Sequence, residues 1–199
     1  MTLAGRIDAV VIGASAGGIE ALTVLLPALL PGLRPPIFVV VHLPRDRPSV
    51  LPGIFARKCV VPVREAEDKE MVTPGTVYFA PNDYHLLLDQ GPQLALSADE
   101  PVHHSRPSVD VLFESAVDVY KDRLLGIILT GANEDGATGL AAVHDAGGLT
   151  IVQRPDTALA PLMALSALKL RPADWVLTLN EIAGMLRTLD ASPTSTQVN

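Results

Sequence analysis

Six short runs of apolar and β-branched residues set the limits on what this chain can fold into. They are AVVI from Ala9, IFVVVH from Ile37, TVYFAP from Thr76, LLGIILT from Leu124, LTIVQ from Leu149 and WVLTL from Trp175. Runs this short, apolar at successive rather than alternate positions, are buried on both faces and suit central strands of a parallel sheet. Between them the period changes. Ile19, Leu22, Leu26 and Leu29 recur at helical spacing. So do Val109, Leu112, Phe113, Ala116, Val117 and Tyr120, with Pro107 and Asp110 suited to a first turn. NEIAGMLRTL, from Asn180, is a shorter third example. Strand and helix in alternation predict an α/β fold: a doubly wound, mainly parallel, Rossmann-like sheet with helices on both faces. One stretch departs from this. HLLLDQGPQLALS, from His85, reads as two short strands joined at Asp89-Gln90-Gly91-Pro92, a small antiparallel hairpin addition.

With 199 residues the chain can bury one good core. No repeat or linker divides it, so residues 1–190 are expected to form one domain and the polar tail ASPTSTQVN, 191–199, to be disordered. A formal net charge of −7 argues against nucleic acid or an anionic membrane as partner, because both require a basic footprint. No stretch approaches the ~20 apolar residues of a membrane span, and the start of the chain lacks the pattern of a signal peptide. A cytoplasmic protein is expected. The single cysteine, Cys59, can form neither an internal disulfide nor a multi-thiolate metal site. Beside Val60 and Val61 it reads as a buried structural thiol.

The segment VVIGASAGGIEAL, from Val10 to Leu22, carries two possible chemistries. As a glycine-rich turn between strand and helix it could cradle a phosphate. As G-x-S-x-G it could hold Ser15 clear of the sheet as a nucleophile. The nucleotide reading is weakened by the spacing of Gly13, Gly17 and Gly18, which departs from G-x-G-x-x-G, and by the second strand. That strand ends in His42, where a dinucleotide fold wants an acid for the ribose. The nucleophile reading gains at the same residue, since a serine hydroxyl needs a base and an imidazole can serve near neutral pH. The base in turn needs an acceptor on its other nitrogen. Glu134 and Asp135, in the loop between Gly131 and Gly136 after LLGIILT, are the candidates, and the shorter arm of Asp135 holds a base more rigidly. Each residue alone has an ordinary explanation: a helix-capping serine, a structural histidine, an acid in a turn. Their joint placement past the carboxyl ends of separate strands is what favours chemistry. A non-catalytic nucleotide-binding or signalling module on the same fold is the alternative. The order Ser, His, Asp is not that of α/β-hydrolases.

Six colinear segments, VVIGASAGGIEAL, VVVHLP, PGTVYFAP, RPSVDVLFESA, GIILTGANEDGATGL and AGGLTIVQ, resemble the catalytic domain of the CheB-type chemotaxis protein-glutamate methylesterases. The likeness runs from about Asp8 to Leu189. It implies a triad at Ser15, His42 and Asp135. It implies hydrolysis of methyl esters on glutamate side chains of methyl-accepting chemotaxis receptors, with deamidation of receptor glutamines in related members. Backbone N–H groups near Ala16, Gly17 and Ala132 become the expected oxyanion or substrate contacts. No metal or organic cofactor is required. This chain departs from the family pattern at Ala16, where the family usually has threonine, and at Ala132-Asn133, where it usually reads Met-Gly. RPDTALAPLMALSALKL lacks the usual Met-Pro. Family members typically carry an amino-terminal receiver domain, and this chain begins only a few residues before the first strand, which reads either as a fragment or as a free-standing esterase controlled by a separate receiver or regulator protein. The resemblance puts Arg106, Ser108 and Asp110 of RPSVD near the catalytic face, although helix capping also accounts for them. His85 is read as either lining the cleft or lying on the surface. His103 and His104, adjacent in sequence, do not share a side and suit no metal site.

Overall fold

Each of the six apolar runs becomes a strand of one parallel sheet in the structure, a computed structural model that describes residues 3–43 and 49–190. In chain order the strands are β1 (Ala9–Ala14), β2 (Ile37–Val41), β3 (Val63–Glu65), β4 (Val77–Phe79), β5 (His85–Asp89), β6 (Gln93–Ser97), β7 (Leu124–Ile128), β8 (Leu149–Gln153) and β9 (Trp175–Leu177). The helices are α1 (Gly18–Leu25), α2 (Leu51–Ala56), α3 (Val109–Tyr120), α4 (Ala137–Asp145), α5 (Leu162–Leu170) and α6 (Leu179–Leu186). The main sheet has the order β3-β4-β2-β1-β7-β8-β9, with every neighbouring pair parallel. The chain therefore winds outward from β1 in one direction and from β7 in the other. The crevice beyond their carboxyl ends is the topological switch point, where open α/β sheets bind ligands.

Successive strand residues point to opposite faces, and both faces are covered. Val10, Ile12 and Ala14 pack with Leu22 and Leu25 of α1, Phe55 of α2 and Ile182 and Leu186 of α6. Ala9 and Val11 pack with Leu112 and Phe113 of α3, Leu140 and Val143 of α4 and Met163 of α5. This double burial is why the strands read as unbroken apolar runs.

The expected helix through Leu29 is shorter. Pro27 lacks an N–H, α1 ends at Leu25, and a 3₁₀ turn over Leu26–Ala28 follows. Its buried face is Ala21, Leu22 and Leu25, leaving Ile19 37% exposed rather than on the core side. The hairpin forms as expected, with His85 opposite Ser97 and Asp89 opposite Gln93. It is a separate two-stranded sheet, not an extension of the main one. It is fastened to α3 instead, where the Leu88 N–H donates to Ser115 Oγ at 3.1 Å. β3 is too short and too polar to announce itself in the sequence. Cys59 is only partly buried, and burial still pushes its thiol up to about 11, so it stays protonated at neutral pH. The expected tail, 191–199, lies outside the described residues.

Candidate active site

Ser15 is the first residue past β1. Its N–H donates to Thr130 O at 2.9 Å, and its carbonyl accepts from the Gly18 N–H at 2.8 Å, closing a tight turn into α1. Gly17 occupies the third position of that turn with φ 81° and ψ 1°, the left-handed values a type II turn demands there. Gly13 serves a different need. A Cβ on it would stand 2.3 Å from Val109 Cγ1, so only glycine lets the start of α3 descend onto β1. The glycines of GASAGG thus shape a turn and admit a helix.

His42 is the first residue past β2. Ala14 pairs with Val41 across the parallel ladder, and the His42 N–H donates to Ala14 O at 3.1 Å. Ser15 and His42, each one residue past the Ala14–Val41 pair, therefore stand side by side at the ends of neighbouring strands, whose axes lie roughly 4.8 Å apart. His42 Nε2 lies 2.9 Å from Asp135 Oδ2.

Asp135 is completely buried and accepts three further hydrogen bonds. Its Oδ2 takes the Val109 N–H at 2.7 Å, and its Oδ1 takes the Asp110 N–H at 3.0 Å and the Ser108 hydroxyl at 2.8 Å. Ser108 is the N-cap of α3, and Val109 and Asp110 are its first two residues, so the carboxylate sits on a helix N-terminus. Burial pushes this carboxyl upward, but the hydrogen bonds from His42, Val109 and Asp110 outweigh burial and hold it below its ordinary value. An ionised carboxylate can only accept, so His42 carries its proton on Nε2 and leaves Nδ1 as the basic nitrogen. Glu134, the other acid in the loop, is 70% exposed and faces His103 Nδ1 at 3.6 Å. Among the described residues no hydrogen bond joins Ser15 Oγ to His42, whose Nδ1 lies 3.2 Å from Asn133 Nδ2.

Several residues hold this arrangement without announcing themselves in the sequence. Thr130 Oγ1 donates to Ala16 O at 2.8 Å and accepts the Ala160 N–H at 2.9 Å, tying the serine turn to the segment before α5. Gln153 Oε1 accepts the Thr130 N–H at 2.9 Å. His85 is neither cleft lining nor surface. It is 2% exposed, and its Nδ1 accepts the Ser108 N–H at 3.1 Å beneath the start of α3. Arg106 is bound by Asp83 Oδ1 at 2.8 Å and by the carbonyls of Ala98 at 2.6 Å and Asp99 at 2.9 Å, which makes it a loop clamp. Among the described residues no cluster of three His, Cys, Asp or Glu side chains is placed to share a metal ion.

Asp110 returns the service that Asp135 performs. Asp135 precedes α4 and caps α3; Asp110, in α3, accepts the Gly139 N–H of α4 at 2.6 Å. His103 Nε2 lies 3.4 Å from the same carboxyl. Burial, with Asp135 nearby, pushes Asp110 up to about 6, against the pull of the Gly139 N–H and His103. Because the folded value exceeds the unfolded one, the native state holds its proton more tightly, and stability falls as pH rises from about 4 through about 6. Asp110→Asn keeps an oxygen for Gly139 and removes that slope. In thermal melts the variant should gain on wild type between pH 5 and pH 8, by on the order of 2 kcal/mol. A variant that loses ground over the same interval would contradict this assignment.

Comparison with known proteins identifies the family. The CheB methylesterase family matches residues 10–186. The chain belongs to the CheB methylesterase family. A Leptospira interrogans protein, provisionally named a protein-glutamate methylesterase/protein-glutamine glutaminase, is 45% identical over 92% of this chain and 95% of its own. An Anaeromyxobacter dehalogenans protein-glutamate methylesterase/protein-glutamine glutaminase 2 is 41% identical over 94% of this chain and 54% of its own. The crystal structure of the Thermotoga maritima CheB methylesterase catalytic domain superposes with a TM-score of 0.86 at 34% identity, covering 90% of this chain and 97% of that one. Membership in the CheB family agrees with the doubly wound sheet. Among the described residues no helix is long and apolar enough to cross a membrane.

Proposed function

We propose that the chain is a serine hydrolase that removes methyl esters from glutamate side chains of chemoreceptors, working in the cytoplasm. Its nucleophile is Ser15, its base His42, and the acceptor that orients the base is Asp135. The observation that carries this reading is the His42–Asp135 contact of 2.9 Å directly across the strand ends from Ser15, which commits Nε2 and leaves Nδ1 as the nitrogen that can take a proton.

The reaction follows from that arrangement. Ser15 Oγ attacks the γ-carbonyl carbon while its proton passes to His42 Nδ1, giving a tetrahedral oxyanion and an imidazolium paired with Asp135. The C–O bond to the methoxy group then breaks, and Nδ1 returns its proton to that oxygen, releasing methanol. Water repeats the sequence on the glutamyl-serine ester and restores Ser15. The oxyanion needs fixed donors. Among the described residues the backbone N–H groups of Ala16, Gly17 and Ala132 have no hydrogen-bond partner, which supports assigning them to it. The same steps on a glutamine side chain release ammonia, the second activity in the relatives' names. The nucleotide-binding alternative is not favoured, because the histidine past β2 is bound to a buried acid rather than replaced by a ribose ligand.

Incubating the chain with receptor carrying methylated glutamates should release methanol and generate glutamate carboxylates at the same sites, and receptor carrying glutamine should release ammonia. A folded chain that releases neither product contradicts the proposal.

A further inference from the structure

Asn133 follows Ala132 in the loop after β7, and its side chain reaches the base. Its Nδ2 lies 3.2 Å from His42 Nδ1 and 3.4 Å from Ser105 Oγ. Its Oδ1 is buried and has no hydrogen-bond partner among the described residues. With Nε2–H committed to Asp135, Nδ1 of the neutral ring can only accept, and the Asn133 NH₂ satisfies it. Once Nδ1 takes the Ser15 proton, that NH₂ confronts an N–H and the contact turns repulsive. A half-turn of the amide exchanges its two ends and brings the unpartnered Oδ1 onto Nδ1–H. The turn leaves an unpartnered end in either orientation, so neither is preferred on that ground. What distinguishes them is the proton on His42.

We propose that Asn133 is a positioning residue that serves both protonation states of His42. It donates to the neutral ring at rest and, with its amide turned, accepts from the imidazolium formed during acylation. This rests on the Ser15–His42–Asp135 reading. A hydrogen bond from a charged donor is roughly twice as strong as one between neutral groups, so Asn133 favours the imidazolium on balance. The proton then leaves Nδ1 for the departing methoxide oxygen, and the amide turns back. The other titratable or charged groups described around the ring are Asp135, at 2.9 Å, and His104 and Arg106, which line the small cleft beside it. The variants below leave all three in place.

The test measures the rate at which an activated phosphonate labels Ser15 as a function of pH. Asn133→Ala removes the acceptor. The acidic limb of the profile should move to lower pH by roughly half a unit, with a plateau several-fold lower. Asn133→Asp sets a group that can only accept against Nδ1, and the limb should move up by about a unit or more. Opposite displacements are the signature, because a residue that only shapes the loop would move both variants the same way or neither. Limbs that move together, or that both coincide with wild type, overturn the proposal. The ring resonances of His42, titrated by NMR in the same three proteins, report the same displacement without any reaction. Labelling that fails while those displacements persist counts against Ser15 as nucleophile and upholds the role of Asn133.

Discussion

Asp135→Asn is expected to slow ester hydrolysis by roughly 10³–10⁴-fold and to destabilise the fold as well. The carboxylate accepts four hydrogen bonds, two on each oxygen, and an amide offers an acceptor on one side only. With its NH₂ toward His42, it confronts the Val109 N–H and forces Nε2 to become the acceptor. The imidazole proton then moves to Nδ1, and the base nitrogen loses its lone pair. With its oxygen toward His42, the ring is held correctly but the NH₂ faces the Asp110 N–H. Either way a buried N–H at the start of α3 goes without a partner, which costs about 1–3 kcal/mol. The pH dependence has a definite sign. The Asp135 carboxyl is held below its ordinary value, so its contribution to stability is complete above the unfolded value and is lost as pH falls through the lower folded one. Denaturant melts should therefore show the deficit of the variant in full at neutral pH and diminished in strong acid. Near-wild-type turnover and stability would move the acceptor role away from Asp135.

Ser15→Ala is expected to abolish turnover, by about 10⁴-fold or more, and to leave stability within about 0.5 kcal/mol. Among the described residues the hydroxyl makes no hydrogen bond, and the side chain is only half-buried. The turn is held by the Ser15 backbone N–H and carbonyl, which alanine retains. Only the nucleophile is lost. The two variants thus separate chemistry from folding: one residue carries turnover alone, and the other carries both. A Ser15→Ala protein that melts well below wild type would mean that the turn depends on the hydroxyl in a way the hydrogen bonds do not account for.

The contrast between these residues also explains how much of the site could be read from the sequence. Ser15 and His42 are legible because each lies at the carboxyl end of an apolar run, and parallel strands carry such positions to the same edge. Asp135 is favoured over Glu134 by its shorter arm, and the family resemblance points to the same residue. The structure separates them by exposure, with Asp135 at 0% and Glu134 at 70%. The cross-capping of α3 and α4 had no local signal, because Asp135 meets Asp110 from 25 residues away and Asp110 meets Gly139 from 29. Long-range polar partners leave no periodicity to detect. Thr130, two residues past β7, and Gln153, the last residue of β8, have no local signal that separates them from ordinary boundary residues. The burial of His85 has no local signal, because it comes from the start of α3, more than 20 residues away in the chain, whose Ser108 N–H it accepts. Asn133 drew attention only as a departure from the family pattern, and its approach to His42 depends on the turn that the loop makes after Thr130. The apolar pattern carries every main-sheet strand but β3, and α1, α3 and α6, whereas α2, α4, α5 and the second layer of the site are visible only in three dimensions.

Localising the covalent adduct left by an activated phosphonate decides whether Ser15 is the nucleophile. After digestion and mass spectrometry, one adduct per chain is expected, on the peptide containing Ser15. None is expected in Ser15→Ala, and a greatly slowed reaction in His42→Ala. An adduct on another residue, or labelling undiminished in Ser15→Ala, would contradict that role.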